Sequence, residues 1–160
     1  MVASNQVETR VKLSGVHLCC EGCTDALEDA VARVPGVSVE CSIDDGTAIL
    51  SAHDPDSIQE ALDAIAGAGF HGESDSKSLT MRDTDPNLPQ GRIKKATISQ
   101  IHNCCDICYD AIKKGIHATQ GVTHDTGRPG STHFEVSGDF SADELVQNLH
   151  KAGFNARVTA

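Results

Sequence analysis

Polar and apolar positions alternate at Val11 and Leu13, then shift to helical spacing at Leu27, Val31 and Val34 before Pro35-Gly36 breaks the run. These spacings predict a strand followed by a helix over about Gly22 to Val34 with one apolar stripe. Alternation returns at Val37, Val39, Cys41 and Ile43, and again at Ala48, Leu50 and Ala52, with the turn-forming Asp44-Asp45-Gly46 between them. Asp54-Pro55 opens a second helical stripe, Ile58, Leu62 and Ile65, which Gly67-Ala68-Gly69-Phe70 ends. A short last strand is expected around His71 to Ser74. The order is strand, helix, strand, strand, helix, strand.

The same order then recurs, with Ala96 and Ile98, Ile112 and Ile116, a turn-rich Gly127-Arg128-Pro129-Gly130, Phe134 and Val136, a helix carrying Leu145, Val146 and Leu149, and a strand from Asn155 to Val158. An 85-residue shift superposes His17, Cys19, Cys20, Cys23, Asp25, Ala26, Gly36 and Val37 on His102, Cys104, Cys105, Cys108, Asp110, Ala111, Gly121 and Val122, 8 identities in 21 positions. Leu27 and Val31 match Ile112 and Ile116, so a buried face repeats along with the motif. Later matches, Leu50 with Phe134 and Gly69-Phe70 with Gly153-Phe154, need an offset of 84, so one residue is lost near the second hairpin. Two domains are expected, 7–74 and 91–160. Between them 75–90 is polar, contains Pro86 and Pro89, shows no apolar period and reads as a flexible linker.

Charge narrows the partners. Thirteen Lys and Arg stand against 23 Asp and Glu, a net charge of −10, and the chain has no Trp, one Tyr and four Phe. Phosphate backbones need cationic surfaces and bases need aromatic platforms, so nucleic acid is not an expected partner. No apolar run reaches the roughly 20 residues of a membrane-spanning helix, so no membrane insertion is expected either. The first residues carry neither a basic nor an apolar signal region. The compartment stays open, cytoplasmic if Met1 is the native start and periplasmic if a signal peptide has been removed.

Six of the seven cysteines sit in two His-x-Cys-Cys-x-x-Cys loops, His17 to Cys23 and His102 to Cys108. A disulfide framework would spread its half-cystines, so this clustering favours ligation or redox chemistry. A right-handed crossover places each loop at the same end of its domain as the following hairpin and the loop after the second helix. The last cysteine of each loop falls in the first helical turn, where free N–H groups and the helix dipole favour thiolate. Soft thiolates select Cu(I), Zn(II), Hg(II) or Cd(II) over Mg(II) or Ca(II).

Cys20-Glu21-Gly22-Cys23 and Cys105-Asp106-Ile107-Cys108 after strand one, with Gly69-Phe70 and Gly153-Phe154 near the last strand, resemble the heavy-metal-associated domains of copper chaperones, copper-transporting ATPases and periplasmic mercury carriers. The resemblance covers about 70 residues per copy. It implies an α+β architecture of two tandem ferredoxin-like βαββαβ domains, each an antiparallel four-stranded sheet with two helices on one face. It also implies binding of Cu(I) foremost, or Zn(II) or Hg(II), by Cys20 with Cys23 and Cys105 with Cys108. The implied role is trafficking, buffering or detoxification, with a metal-transporting ATPase or another Cys-x-x-Cys protein as exchange partner.

The chain departs from that pattern. Leu18 and Asn103 stand where the family commonly has Met packed under the loop, and Asn103 cannot fill that space cheaply. Phe70 and Phe154 stand where many members carry Lys or Tyr, so no cation there offsets a dithiolate complex. Cys19 and Cys104, with His17 and His102, extend each loop to four candidate ligands, which allows three-sulfur binding or a Cys3His site; spacers and satisfied strand-end histidines are the plainer readings. Cys41 reads as a small core residue, His124 and His133 as strand histidines near the metal end, and Asp25, Glu28 and Asp29 as a solvated helix face that could meet a basic partner.

A linker of about 16 residues spans roughly 20 to 24 Å by flexible-chain scaling, so the loops can meet and six thiolates could enclose a Cu(I) cluster; two independent sites are the alternative. A thiol-disulfide redox protein is the competing function, because Cys-x-x-Cys at a helix N-terminus also serves oxidoreductases. Against it, the strand order lacks the thioredoxin pattern. A third possibility is a docking protein with structural metals. No hydrolytic motif or phosphate loop is present, and no enzyme is expected.

Overall fold

The computed structural model describes residues 8–81 and 88–160. The first βαββαβ unit comprises β1 (Thr9–Ser14), α1 (Glu21–Ala32), β2 (Ser38–Ser42), β3 (Thr47–Ala52), α2 (Pro55–Gly67) and β4 (Glu73–Ser74). The second comprises β5 (Arg92–Ser99), α3 (Asp106–Ala118), β6 (Val122–Asp125), β7 (His133–Ser141), α4 (Ala142–Lys151) and β8 (Arg157–Thr159). Each unit has one antiparallel sheet, ordered β2-β3-β1-β4 and β6-β7-β5-β8. This is the α+β, ferredoxin-like arrangement expected of the repeat.

Register aligns the apolar faces. Val11 pairs with Leu50 and Leu13 with Ala48 in one sheet; Ala96 pairs with Val136 and Ile98 with Phe134 in the other. On these faces pack the buried helix stripes Leu27 and Val31, Ile58, Leu62 and Ile65, Ile112 and Ile116, and Leu145 and Leu149. Burying a side chain of this kind contributes about 1.5–3 kcal/mol. Ile43 lies past the end of β2 and is 41% exposed, so the apolar alternation stops one residue short of the sequence expectation. Cys41 is half-buried, and burial pushes its thiol up to about 11.

Of the segment read as a linker, 82–87 lie outside the described residues. Residues 75–81 fold back on the first unit: Asp75 N–H donates to the Lys12 carbonyl at 3.0 Å, and Gln59 Nε2 donates to the Thr80 carbonyl at 2.9 Å. Among the described residues no helix is long and apolar enough to cross a membrane.

Candidate metal centre

The helices differ in how they begin. Asp54 caps α2 by accepting from Ser57 N–H at 2.8 Å, and Ser141 caps α4 by accepting from Glu144 N–H at 3.4 Å. The caps of α1 and α3 are Cys20 and Cys105, neither of which makes a side-chain cap bond. Replacing a good cap residue costs typically about 1 kcal/mol. The two cysteine helices therefore forgo local stability at the loops that carry the donors.

The two loops meet. The strand-like segments after α2 and α4 pair across the units: His71 N–H donates to the Gly153 carbonyl at 3.0 Å, Asn155 N–H donates to the Gly69 carbonyl at 2.9 Å, and Phe70 and Phe154 form an antiparallel bridge. Each carbonyl also faces the other unit's histidine backbone, with His17 N–H donating to Gly153 and His102 N–H to Gly69, both at 3.4 Å. These contacts interchange when the repeat is superposed, so the units are related by an approximate two-fold axis. Gly69 and Gly153 have φ of +95° and +92°, and a Cβ on them would lie 2.1 Å from His102 N and 2.4 Å from His17 N. Only glycine permits both the conformation and the approach. Because Asn155 serves this junction, β8 begins at Arg157, two residues later than the apolar pattern predicts.

Six thiols gather at the axis. Cys19 Sγ lies 3.4 Å from Cys23, 3.4 Å from Cys105 and 3.5 Å from Cys108. Cys104 Sγ lies 3.7 Å from Cys23, 3.5 Å from Cys108 and 3.8 Å from Cys20, and Cys23 and Cys108 are 3.6 Å apart. Four sulfurs around one ion with bonds of about 2.3 Å have mutual spacings of about 3.8 Å, whereas two on opposite sides of it would stand about 4.6 Å apart. The observed spacings fit three- or four-coordinate binding. All four cysteines of the two Cys-x-x-Cys pairs and both additional ones lie in the cluster; Cys41 does not.

His17 and His102 flank it. The His17 ring packs on Phe154 at a centroid distance of 4.6 Å, and His102 stacks on Phe70 at 4.3 Å. The positions where a cation was found wanting thus hold the imidazoles in place. Nε2 of both histidines is buried and has no hydrogen-bond partner. His17 Nε2 or Nδ1 falls with the sulfurs of Cys19, Cys23 and Cys108 inside a span of 4.8 Å, and His102 does so with Cys23, Cys104 and Cys108. His124 and His133 are exposed and join none of the donor groups among the described residues. Asp25, Glu28 and Asp29 are exposed on α1.

Charge is unevenly held. Hydrogen bonding from Cys108, then from His102, keeps the Cys23 thiol far below the ordinary cysteine range, and the same bond, with burial, pushes Cys108 far up. Burial raises Cys19 and Cys104. Cys105 is held down at about 7, chiefly by the positive field of the Cys108 backbone N–H in the first turn of α3, which it faces without closing a cap bond. Burial lowers His17, leaving a neutral imidazole of the kind that can ligate.

Asn103, the residue that sequence reasoning left without a role, is buried and donates from Nδ2 to the carbonyls of Arg128 at 2.7 Å and Ser131 at 2.8 Å. It ties the second loop to the β6–β7 hairpin. Leu18 is buried apolar at the corresponding place.

A two-unit ferredoxin-like chain with a composite Cys and His donor set suited to a soft metal ion is what this fold and geometry define. No family model matches the chain, and no curated protein matches it. Among solved structures, the N-terminal soluble domains of Bacillus subtilis CopA match at 14% identity over 99% of this chain and 97% of that one, with a TM-score of 0.32. The first two RRM domains of the yeast poly(U)-binding protein Pub1 match at 8% identity over 95% and 99%, with a TM-score of 0.25. What this chain can bind is decided by its own side chains.

Proposed function

We propose that this protein binds soft metal ions, Cu(I) foremost and Zn(II) or Hg(II) in the same donor set, at one centre shared by its two His-x-Cys-Cys-x-x-Cys loops. Its role on this reading is trafficking, buffering or detoxification, with the metal as cargo and a metal-transporting ATPase or another Cys-x-x-Cys protein as the donor or acceptor. The observation that supports it is the continuous network of six sulfurs, spaced 3.4 to 3.8 Å, built from both loops. Thiolates of this softness and spacing select soft cations, and binding releases the thiol protons, so affinity falls as pH falls. Placing the donors on docked units, rather than on one loop, makes the two Cys-x-x-Cys motifs act on the same ions.

Anaerobic titration of the fully reduced chain with Cu(I), followed by elemental analysis, tests the reading. At least two tightly held Cu(I) per chain are expected, with uptake weakening toward acid. A reduced, folded chain that takes up no Cu(I), Zn(II) or Hg(II) refutes it and leaves thiol-disulfide chemistry as the use of these cysteines.

A further inference from the structure

The six sulfurs are not equivalent. Cys19, Cys23 and Cys108 form a triangle with edges of 3.4, 3.5 and 3.6 Å. Cys104, Cys23 and Cys108 form a second, with edges of 3.7, 3.5 and 3.6 Å. The triangles share the edge between Cys23 and Cys108 and exchange under the approximate two-fold. Each gains one imidazole, His17 on the first and His102 on the second, inside a span of 4.8 Å. Nε2 of each imidazole is buried without a hydrogen-bond partner, a desolvation cost that a bond to a metal ion would remove.

An all-sulfur partition is the competing geometry. Cys19, Cys20, Cys23 and Cys104 form one compact group, and Cys19, Cys104, Cys105 and Cys108 another, so Cys19 and Cys104 would bridge and neither histidine would bind. Two considerations weigh against it. It leaves both buried Nε2 atoms unpartnered. It also gathers more charge, because six thiolates around two ions carry two more negative charges than four thiolates and two neutral imidazoles do. Uncompensated charge in a partly buried site is costly. In the histidine partition the fully buried sulfurs, Cys23 and Cys108, each contact two ions, which is where compensation is most needed.

Resting on the soft-metal reading above, we infer that the centre is a two-metal site in which Sγ of Cys23 and Cys108 bridge both ions, His17 and Cys19 complete one coordination shell, and His102 and Cys104 complete the other. Cys20 and Cys105 stand outside this core, although they belong to the Cys-x-x-Cys pairs. Those of the four core thiols that still carry a proton lose it to solvent as the ions enter, and no redox change is involved.

X-ray absorption on the full reduced chain, loaded in parallel with Cu(I) alone and with Zn(II) alone, tests the assignment without any substitution. Two ions per chain, a first shell containing nitrogen as well as sulfur, and metal–metal scattering are expected. The double variant Cys20→Ser/Cys105→Ser keeps two ions and the same first shell, whereas His17→Ala/His102→Ala loses the nitrogen and weakens binding roughly tenfold or more, since even indirect supports of a ligand are worth that much. A sulfur-only shell, more than two ions per wild-type chain, or loss of ions from Cys20→Ser/Cys105→Ser overturns the assignment while leaving soft-metal binding standing. Absence of any uptake by the wild type instead removes the reading beneath it.

Discussion

The two units deliver the same donors to the same place and support them by different means. In the first, the loop rests on apolar Leu18, and its hairpin is tied to the segment after β1 by a backbone bond from Val16 N–H to the Gly46 carbonyl at 3.1 Å. In the second, Asn103 grips the hairpin through two carbonyls. The hairpin is further braced by Asp125, which accepts from Tyr109 Oη, from Gly127 N–H at 3.1 Å and pairs with His117 Nε2 at 2.7 Å. The donor geometry therefore follows from the shared backbone path and register. What lies beneath the loop is free to be apolar or polar: Asn103 places its Nδ2 on two hairpin carbonyls, although its buried Oδ1 has no hydrogen-bond partner among the described residues.

The contrast can be broken most severely at the junction the units share. Gly69→Ala places a Cβ 2.1 Å from His102 N, and Gly153→Ala places one 2.4 Å from His17 N. Backbone strain of about 1–3 kcal/mol adds to overpacking of about 1–3 kcal/mol. Undocked units that remain individually folded are the expected outcome, seen as an enlarged radius in small-angle scattering and loss of cooperative Cu(I) uptake. A compact variant with wild-type uptake would show that the junction is not what unites the loops.

Exchanging the supports separates them next. Leu18→Asn buries an amide with no hairpin carbonyls arranged for it and should cost about 2–4 kcal/mol, whereas Asn103→Leu loses two hydrogen bonds but gains apolar burial and should cost about 1–2 kcal/mol. Chemical denaturation of the reduced apo-protein, with one probe per unit, measures both.

The polar brace also makes the second unit more sensitive to acid. Burial works to raise the Asp125 carboxyl, but bonds from Tyr109, His117 and Gly127 outweigh it and hold the group below the usual carboxylate range. A carboxyl depressed in the folded state contributes stability that is present above its unfolded pKa and is lost as pH falls through the folded one. Asp125→Asn should remove about 1–3 kcal/mol from the second unit near neutrality and flatten its pH dependence below about pH 4, with the first unit unchanged. Thermal melts between pH 2 and 7 check this.

The smallest effect concerns the uncapped helices. Cys105→Asp gives α3 the cap that α2 already has in Asp54, and should stabilise the apo second unit by about 0.5–1 kcal/mol while leaving the uptake of two ions unchanged. No gain in melting temperature would mean that the thiol already serves the helix terminus.

The sequence by itself determined the elements, the repeat and the donors. Apolar periods are local, and each buried face must follow its own helix or strand, so Val11, Leu27, Ile58 and their partners in the second copy were readable, as was the convergence of six cysteines in two loops. The role of Asn103 was hidden because its partners lie 25 and 28 residues away in a hairpin whose closeness is a product of folding. Gly69-Phe70 and Gly153-Phe154 were visible as a repeat, but their meaning was not: a glycine required by the approach of another unit looks the same in sequence as one that ends a helix. Only the tertiary structure decided that the loops face each other across a two-fold axis, that Phe70 and Phe154 seat the histidines, and that Cys23 and Cys108 touch. Contacts between groups 85 residues apart are set by the docking of whole folded units, for which no local period in the chain carries a signal.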